Sequence, residues 1–133
     1  HFVSYQTTIT RGTDKENITN IEKAFNDKNY NLVIQQSTML TEKVNEDAFL
    51  VGLSYLNTDN AASAITWLAP FLNSNSSFQE DAEFYTALAY IKTKEYKKAD
   101  EIVQKIIKQK DHLYRQQFSK KTVQQLKVLQ WRE

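Results

Sequence analysis

The chain has no cysteine, two glycines (Gly12, Gly52), one proline (Pro70) and two histidines (His1, His112). Without cysteine there is no disulfide, no thiolate nucleophile and no cysteine-based zinc site; the compartment stays open, because periplasmic chains can also lack it. So few glycines and prolines leave little material for hairpins and tight turns, which favours an all-α chain before any periodicity is considered. No apolar run approaches the ~18 residues that a membrane-spanning helix needs.

The familiar patterns of chemistry are missing as well. There is no GxSxG, no glycine-rich phosphate loop, no HExxH and no DxDxDG. His1 is terminal, and His112, beside Asp111, reads as the neighbour of a helix cap rather than as a ligand or base. Glu46-Asp47 and Glu80-Asp81 fall in first helical turns, where negative charge complements the dipole; that account is plainer than general acid–base work. Asn17-Ile18-Thr19 and Asn75-Ser76-Ser77 fit the glycosylation acceptor pattern, which is frequent by chance. The expectation is a non-enzymatic chain with no metal, no cofactor and no small-molecule substrate.

What the chain does have is a repeat. Residues 49–72 (FLVGLSYLNTDNAASAITWLAPFL) and 84–107 (FYTALAYIKTKEYKKADEIVQKII) align at a constant offset of 35 positions, with Gly52 on Ala87, Tyr55 on Tyr90, Ala64 on Ala99 and Leu68 on Val103. A weaker copy spans residues 21–40, with Ile21, Ala24, Tyr30 and Val33 in matching slots. A repeat of this length implies stacked helix pairs that share a long, thin core, and a surface that binds rather than a pocket that reacts.

Local signals divide the 133 residues into an extended arm over 1–14, three helix pairs over 15–110 and a capping helix over 111–133. Thr13 and Glu16 have capping-box spacing. Asp27-Lys28-Asn29, Thr58-Asp59-Asn60 and Lys94-Glu95 break the three pairs, which predicts helices over 46–57 and 61–72 in the middle copy. Pro70 predicts a kink or early end in the latter. Ser77 and Glu80 predict a capping box before a helix reaching Thr93, and Asp111 predicts the N-cap of the last helix, with Tyr114, Phe118, Leu126 and Leu129 covering an exposed repeat face. The chain begins with His1, as a fragment or processed form would.

Charge is uneven. Up to Ile91 there are five Lys/Arg against eleven Asp/Glu, a net of −6; from Lys92 there are twelve against five, a net of +7. A basic end that meets an acidic partner, nucleic acid or a membrane surface is one account; solvated outer faces of the last helices are the plainer one.

The slots named above resemble those of the tetratricopeptide repeat, in which small residues on the two helices of a pair allow close approach and aromatics brace the turn. Gly52 and Ala87 stand in the first small slot, Ala64 and Ala99 in the second, Tyr55 and Tyr90 in the first-helix aromatic slot, and Tyr30 and Tyr96 just before the second helix. The family's terminal proline is absent from every copy, and Ala61 replaces the turn aromatic in the middle one. The resemblance covers residues 15–110 and implies an α-solenoid of about three antiparallel helix pairs. The arm with Phe2 and Tyr5, then Arg11-Gly12, Ala24-Phe25, Tyr30, residues 87–92 and 111–115 also resemble the extracytoplasmic tetratricopeptide domains of single-pass membrane proteins from Bacteroidetes. That likeness implies a periplasmic domain tethered through a segment upstream of His1, with a cytoplasmic location as the alternative.

In such arrays the first helix of each pair lines a concave groove. The resemblance places Phe25, Asn26, Phe49, Leu53, Leu56, Asn57, Phe84, Leu88, Ile91 and Lys92 there. Phe49 and Phe84 stand where a carboxylate clamp would need polar residues, so the expected ligand is a protein or peptide with apolar anchors, held in register by Asn57 and Lys92. The arm, with Phe2, Val3, Tyr5 and Ile9, is a candidate to fill the groove itself. Self-assembly through Val128, Leu129 and Trp131 is the alternative from another class. Binding of anionic lipid or nucleic acid through Lys97, Lys98, Lys105, Lys108, Lys120 and Lys121 is a third, and nucleic acid is disfavoured because no exposed aromatics interleave with these lysines.

Overall fold

Three sharp reversals organise the chain, and all three are built alike. In the computed structural model, which describes residues 19–118 and 120–131, Lys28, Asp59 and Lys94 each adopt the left-handed conformation with φ of 59°, 61° and 64°. The residue after each donates its backbone N–H to the carbonyl five positions back: Asn29 to Ala24 (2.8 Å), Asn60 to Tyr55 (2.8 Å) and Glu95 to Tyr90 (2.9 Å). This is the Schellman arrangement, which satisfies carbonyls that a helix end leaves over. The same residue then accepts the first bond of the next helix, from Val33, Ala64 and Ala99 respectively. Asn29 and Asn60 add a side-chain cap, accepting from the backbone N–H of Leu32 (3.3 Å) and Ser63 (3.2 Å). Glu95 does not cap; it is held by the Thr93 hydroxyl (2.8 Å) and Lys98 (3.1 Å), which draw its carboxyl below the usual range. The second and third left-handed residues are 35 positions apart, and the first and second 31, matching the shorter first copy.

These reversals join α1 (Asn20–Asn26) to α2 (Tyr30–Gln36), α3 (Glu46–Asn57) to α4 (Ala61–Leu68) and α5 (Gln79–Lys92) to α6 (Tyr96–Lys108), with α7 (Lys120–Trp131) following. Among the described residues there is no strand, so the chain is all-α as expected. The arm over 1–14 and the capping box at Thr13–Glu16 lie outside the described residues; α1 is capped instead by Thr19, whose hydroxyl accepts from the Glu22 N–H at 2.9 Å. Contacts divide the chain into two compact units, with the boundary inside α4 between Trp67 and Leu68.

In the first unit α1, α2 and α3 pack on one another. The seven consecutive residues from Ala48 to Ser54 are all buried, so α3 is enclosed around its circumference. The one hydroxyl in that run, Ser54, is satisfied by donating to the Leu50 carbonyl at 2.8 Å. Phe25 and Tyr30 meet edge to face at 5.5 Å across the first reversal. Gly52 of α3 and Ala64 of α4 are both buried.

Pro70 acts as expected. It cannot donate a helical hydrogen bond, and α4 ends at Leu68 in a 3-10 turn over Ala69–Phe71. In the second unit Ala87 and Ala99 are both fully buried and share a core with Val103 and Leu126, so the two small residues sit where α5 and α6 close on one another.

Two expected caps do not form. Ser77 does not cap α5: the N-cap position is Phe78, and Gln79 reaches back to accept from the Asn75 N–H at 2.8 Å. Asp111 is exposed and caps no helix. Residues 109–118 run irregularly with one 3-10 turn, and the last helix begins only at Lys120.

Candidate functional site

The expected groove residues fall into different environments. In the first unit Phe25, Phe49, Leu53 and Leu56 are buried, Phe49 and Leu53 without exposed surface, while Asn26 and Asn57 are half-buried. These four apolar side chains serve as core, and a partner reaches them only if what covers them moves aside. In the second unit Leu88 and Ile91 are half-buried and Lys92 is exposed. Phe84 is covered by its own chain: its ring stacks on Tyr114 at 4.2 Å and lies 5.7 Å from Phe118.

That cover is held by a buried polar clamp between residues 112–114 and the first turns of α5. The His112 side chain has no exposure, and its Nε2 lies 2.9 Å from Glu83 Oε1. Nδ1 accepts from the Tyr114 backbone N–H at 3.1 Å, which places the ring proton on Nε2 and makes that nitrogen the donor to Glu83. Lys105 of α6 pairs with the other oxygen of Glu83. Glu80 accepts from the Leu113 N–H at 2.8 Å, and the Tyr114 hydroxyl donates to Asp81. Burial first, then the bond to Asp81, push the Tyr114 phenol well above its ordinary range. The acidic first turn of α5 therefore ties down a loop, where the sequence suggested only a dipole partner. His112 is a structural linchpin rather than a cap's neighbour.

A second polar cluster lies in the first unit. Glu22 of α1 faces Glu46 and Asp47 of α3, and Thr19 donates to Asp47 at 2.9 Å. Burial and then the two neighbouring carboxylates raise Glu22 to about 7, and burial raises Asp47. Burial, the larger cause, and repulsion from Glu46 and Asp47 both favour the protonated form of the Glu22 carboxyl.

The remaining feature is the outer side of α7. Its inner side anchors through Leu126 and Val123 in the core and through Gln130, which donates to Asp100 at 3.3 Å. Lys121, Gln124, Gln125, Val128 and Trp131, at i, i+3, i+4, i+7 and i+10, are all exposed on the opposite side, Val128 at 52% and Trp131 at 88%. Four of these five, with Leu129, line a shallow surface cleft. The helix includes three lysines and no acidic residue.

Comparison with protein-family models, with curated proteins and with solved structures finds no match to this chain. Among the described residues no cluster of His, Asp and Glu is arranged to hold a metal ion, and no helix is long and apolar enough to cross a membrane.

Sequence reasoning missed the clamp, although one signal pointed to it. Glu83 is four positions before Ala87, on the inward face of α5, and a carboxylate there needs a buried partner.

Proposed function

We propose that this chain is a non-enzymatic, tetratricopeptide-like module whose work is to dock another polypeptide, in the setting of an extracytoplasmic, membrane-tethered domain. Support for the repeat comes from three reversals with one hydrogen-bond pattern and from the paired alanines of α5 and α6. The docking reading rests on the outer stripe of α7. A last helix that merely caps a stack presents a polar face to water, whereas this one presents Val128 and Trp131 beside lysines. Tryptophan exposed on a regular helical stripe is the kind of anchor that dominates protein interfaces. The remaining apolar residues of the expected groove, Leu88 and Ile91, are half-buried and would contribute at its margin.

A photoreactive side chain at position 128 tests this in cells that make the protein. Polypeptide adducts are expected there, in clear excess over the same probe at the exposed Asn31 of α2. Equal yields at the two positions would sink the reading.

A further inference from the structure

The described residues include five large hydrophobic side chains that stand exposed: Met39, Val44, Leu113, Val128 and Trp131. Four of them form two pairs in surroundings of opposite charge. Val128 and Trp131 share the acid-free α7 with Lys120, Lys121 and Lys127. Met39, 81% exposed, and Val44, 43% exposed, flank Glu42 in the connection between α2 and α3, just ahead of Glu46 and Asp47. The one lysine of that connection, Lys43, sits 4.8 Å over the Trp67 ring of its own unit, and the exposed Glu42, which accepts from Asn45 Nδ2 at 3.2 Å, is the acidic group between the apolar pair.

Resting on the docking reading above, we infer that the polypeptide received by α7 is a second copy of this chain, which presents residues 39–47 to the stripe of Lys121, Val128 and Trp131. Apolar side chains meet apolar side chains, and Glu42 meets lysines, so both the burial and the charge are complementary. Pairing of α7 with itself across a two-fold axis is the simpler symmetry, but it sets the lysines of one copy against those of the other with no acid on the helix to relieve them. The contact is therefore head to tail. The bound pair keeps one free patch of each kind, one on each copy, so assembly continues beyond a dimer as concentration rises.

Light scattering on the purified chain tests this directly. Mass is expected to climb past the dimer with concentration and to fall with added salt, because the contact is partly electrostatic. Trp131→Ser and Met39→Ser are each expected to raise the concentration needed for assembly by about tenfold. The double variant Lys121→Glu/Lys127→Glu and the single variant Glu42→Lys, each folded by circular dichroism, are expected to stay monomeric alone, and a mixture of the two to assemble again. A wild-type chain that remains monomeric overturns the inference. So does assembly that strengthens with salt, or that ignores the charge variants. The photoreactive probe at position 128 separates the two readings: a self-adduct mapping to residues 39–47 supports the second copy, adducts only with other polypeptides overturn it while docking stands, and no adduct overturns both.

Discussion

His112 Nε2 lies 2.9 Å from Glu83 Oε1 across 29 positions of sequence, and the two side chains are 0% and 2% exposed. A carboxylate so deeply placed needs all its partners, and Lys105 supplies the second. The bond fastens the irregular stretch before α7 to α5, and with it the Tyr114 ring that covers Phe84. The outer stripe of α7 is presented from a helix whose approach is fixed in this way.

His112→Ala is therefore expected to lower stability by about 2–4 kcal/mol, because it strands one oxygen of a buried carboxylate. Glu83→Gln keeps an acceptor for Nε2 and loses the charge pairing with Lys105, so its cost is expected to be smaller. Denaturant midpoints check the order, and limited proteolysis of His112→Ala should cut first within residues 109–118. Equal costs, or a cut elsewhere, would contradict the clamp.

Stability should also depend on pH through Glu22. Its carboxyl titrates at about 7 in the folded chain against an ordinary value of 4.5, so between these values the folded state holds a proton that the unfolded state has released. Stability is fullest below pH 4.5 and declines as pH rises through 7, by an amount on the order of 1–2 kcal/mol once solvent screening and coupling to Glu46 and Asp47 are allowed for. Glu22→Gln is expected to flatten this slope and to stabilise the chain at pH 8. Urea denaturation at several pH values measures both effects, and an unchanged slope would count against the cluster.

The left-handed reversals offer a third check. Lys94 adopts φ of 64° with a side chain exposed to solvent, so glycine there removes a steric penalty and loses no contact. Lys94→Gly is expected to raise stability by about 0.5 kcal/mol, the gain being trimmed by the looser unfolded chain. Lys94→Val is expected to lower it by more than about 1 kcal/mol, since a β-branched residue tolerates that conformation poorly. Thermal melts of the two variants should move in opposite directions.

Much of the helical framework was legible because its causes are local. Asn29 and Asn60 cap the helices that follow them, Pro70 ends α4, and α3 covers the expected residues Glu46–Asn57. Ala87 and Ala99 were legible as close-approach positions because small residues at a fixed spacing have one obvious use. Ser77 and Asp111 misled for the same local reason: each has the chemistry of a cap, and nothing near it in sequence says that another group will do the work.

Sequence alone determined that this chain is helical, where most helices begin and end, and that a helix-pair pattern recurs; these follow from caps, periodicity and turn residues within a few positions of one another. Only the tertiary structure decided which side chains remain for a partner. Phe49 and Phe84 share a repeat slot, yet one is core and the other lies under Tyr114, while Val128 and Trp131 of the expected cap stand in solvent. Periodicity marks an apolar face but carries no record of what packs against it, and that depends on residues such as His112 and Glu83 meeting from far apart in the chain.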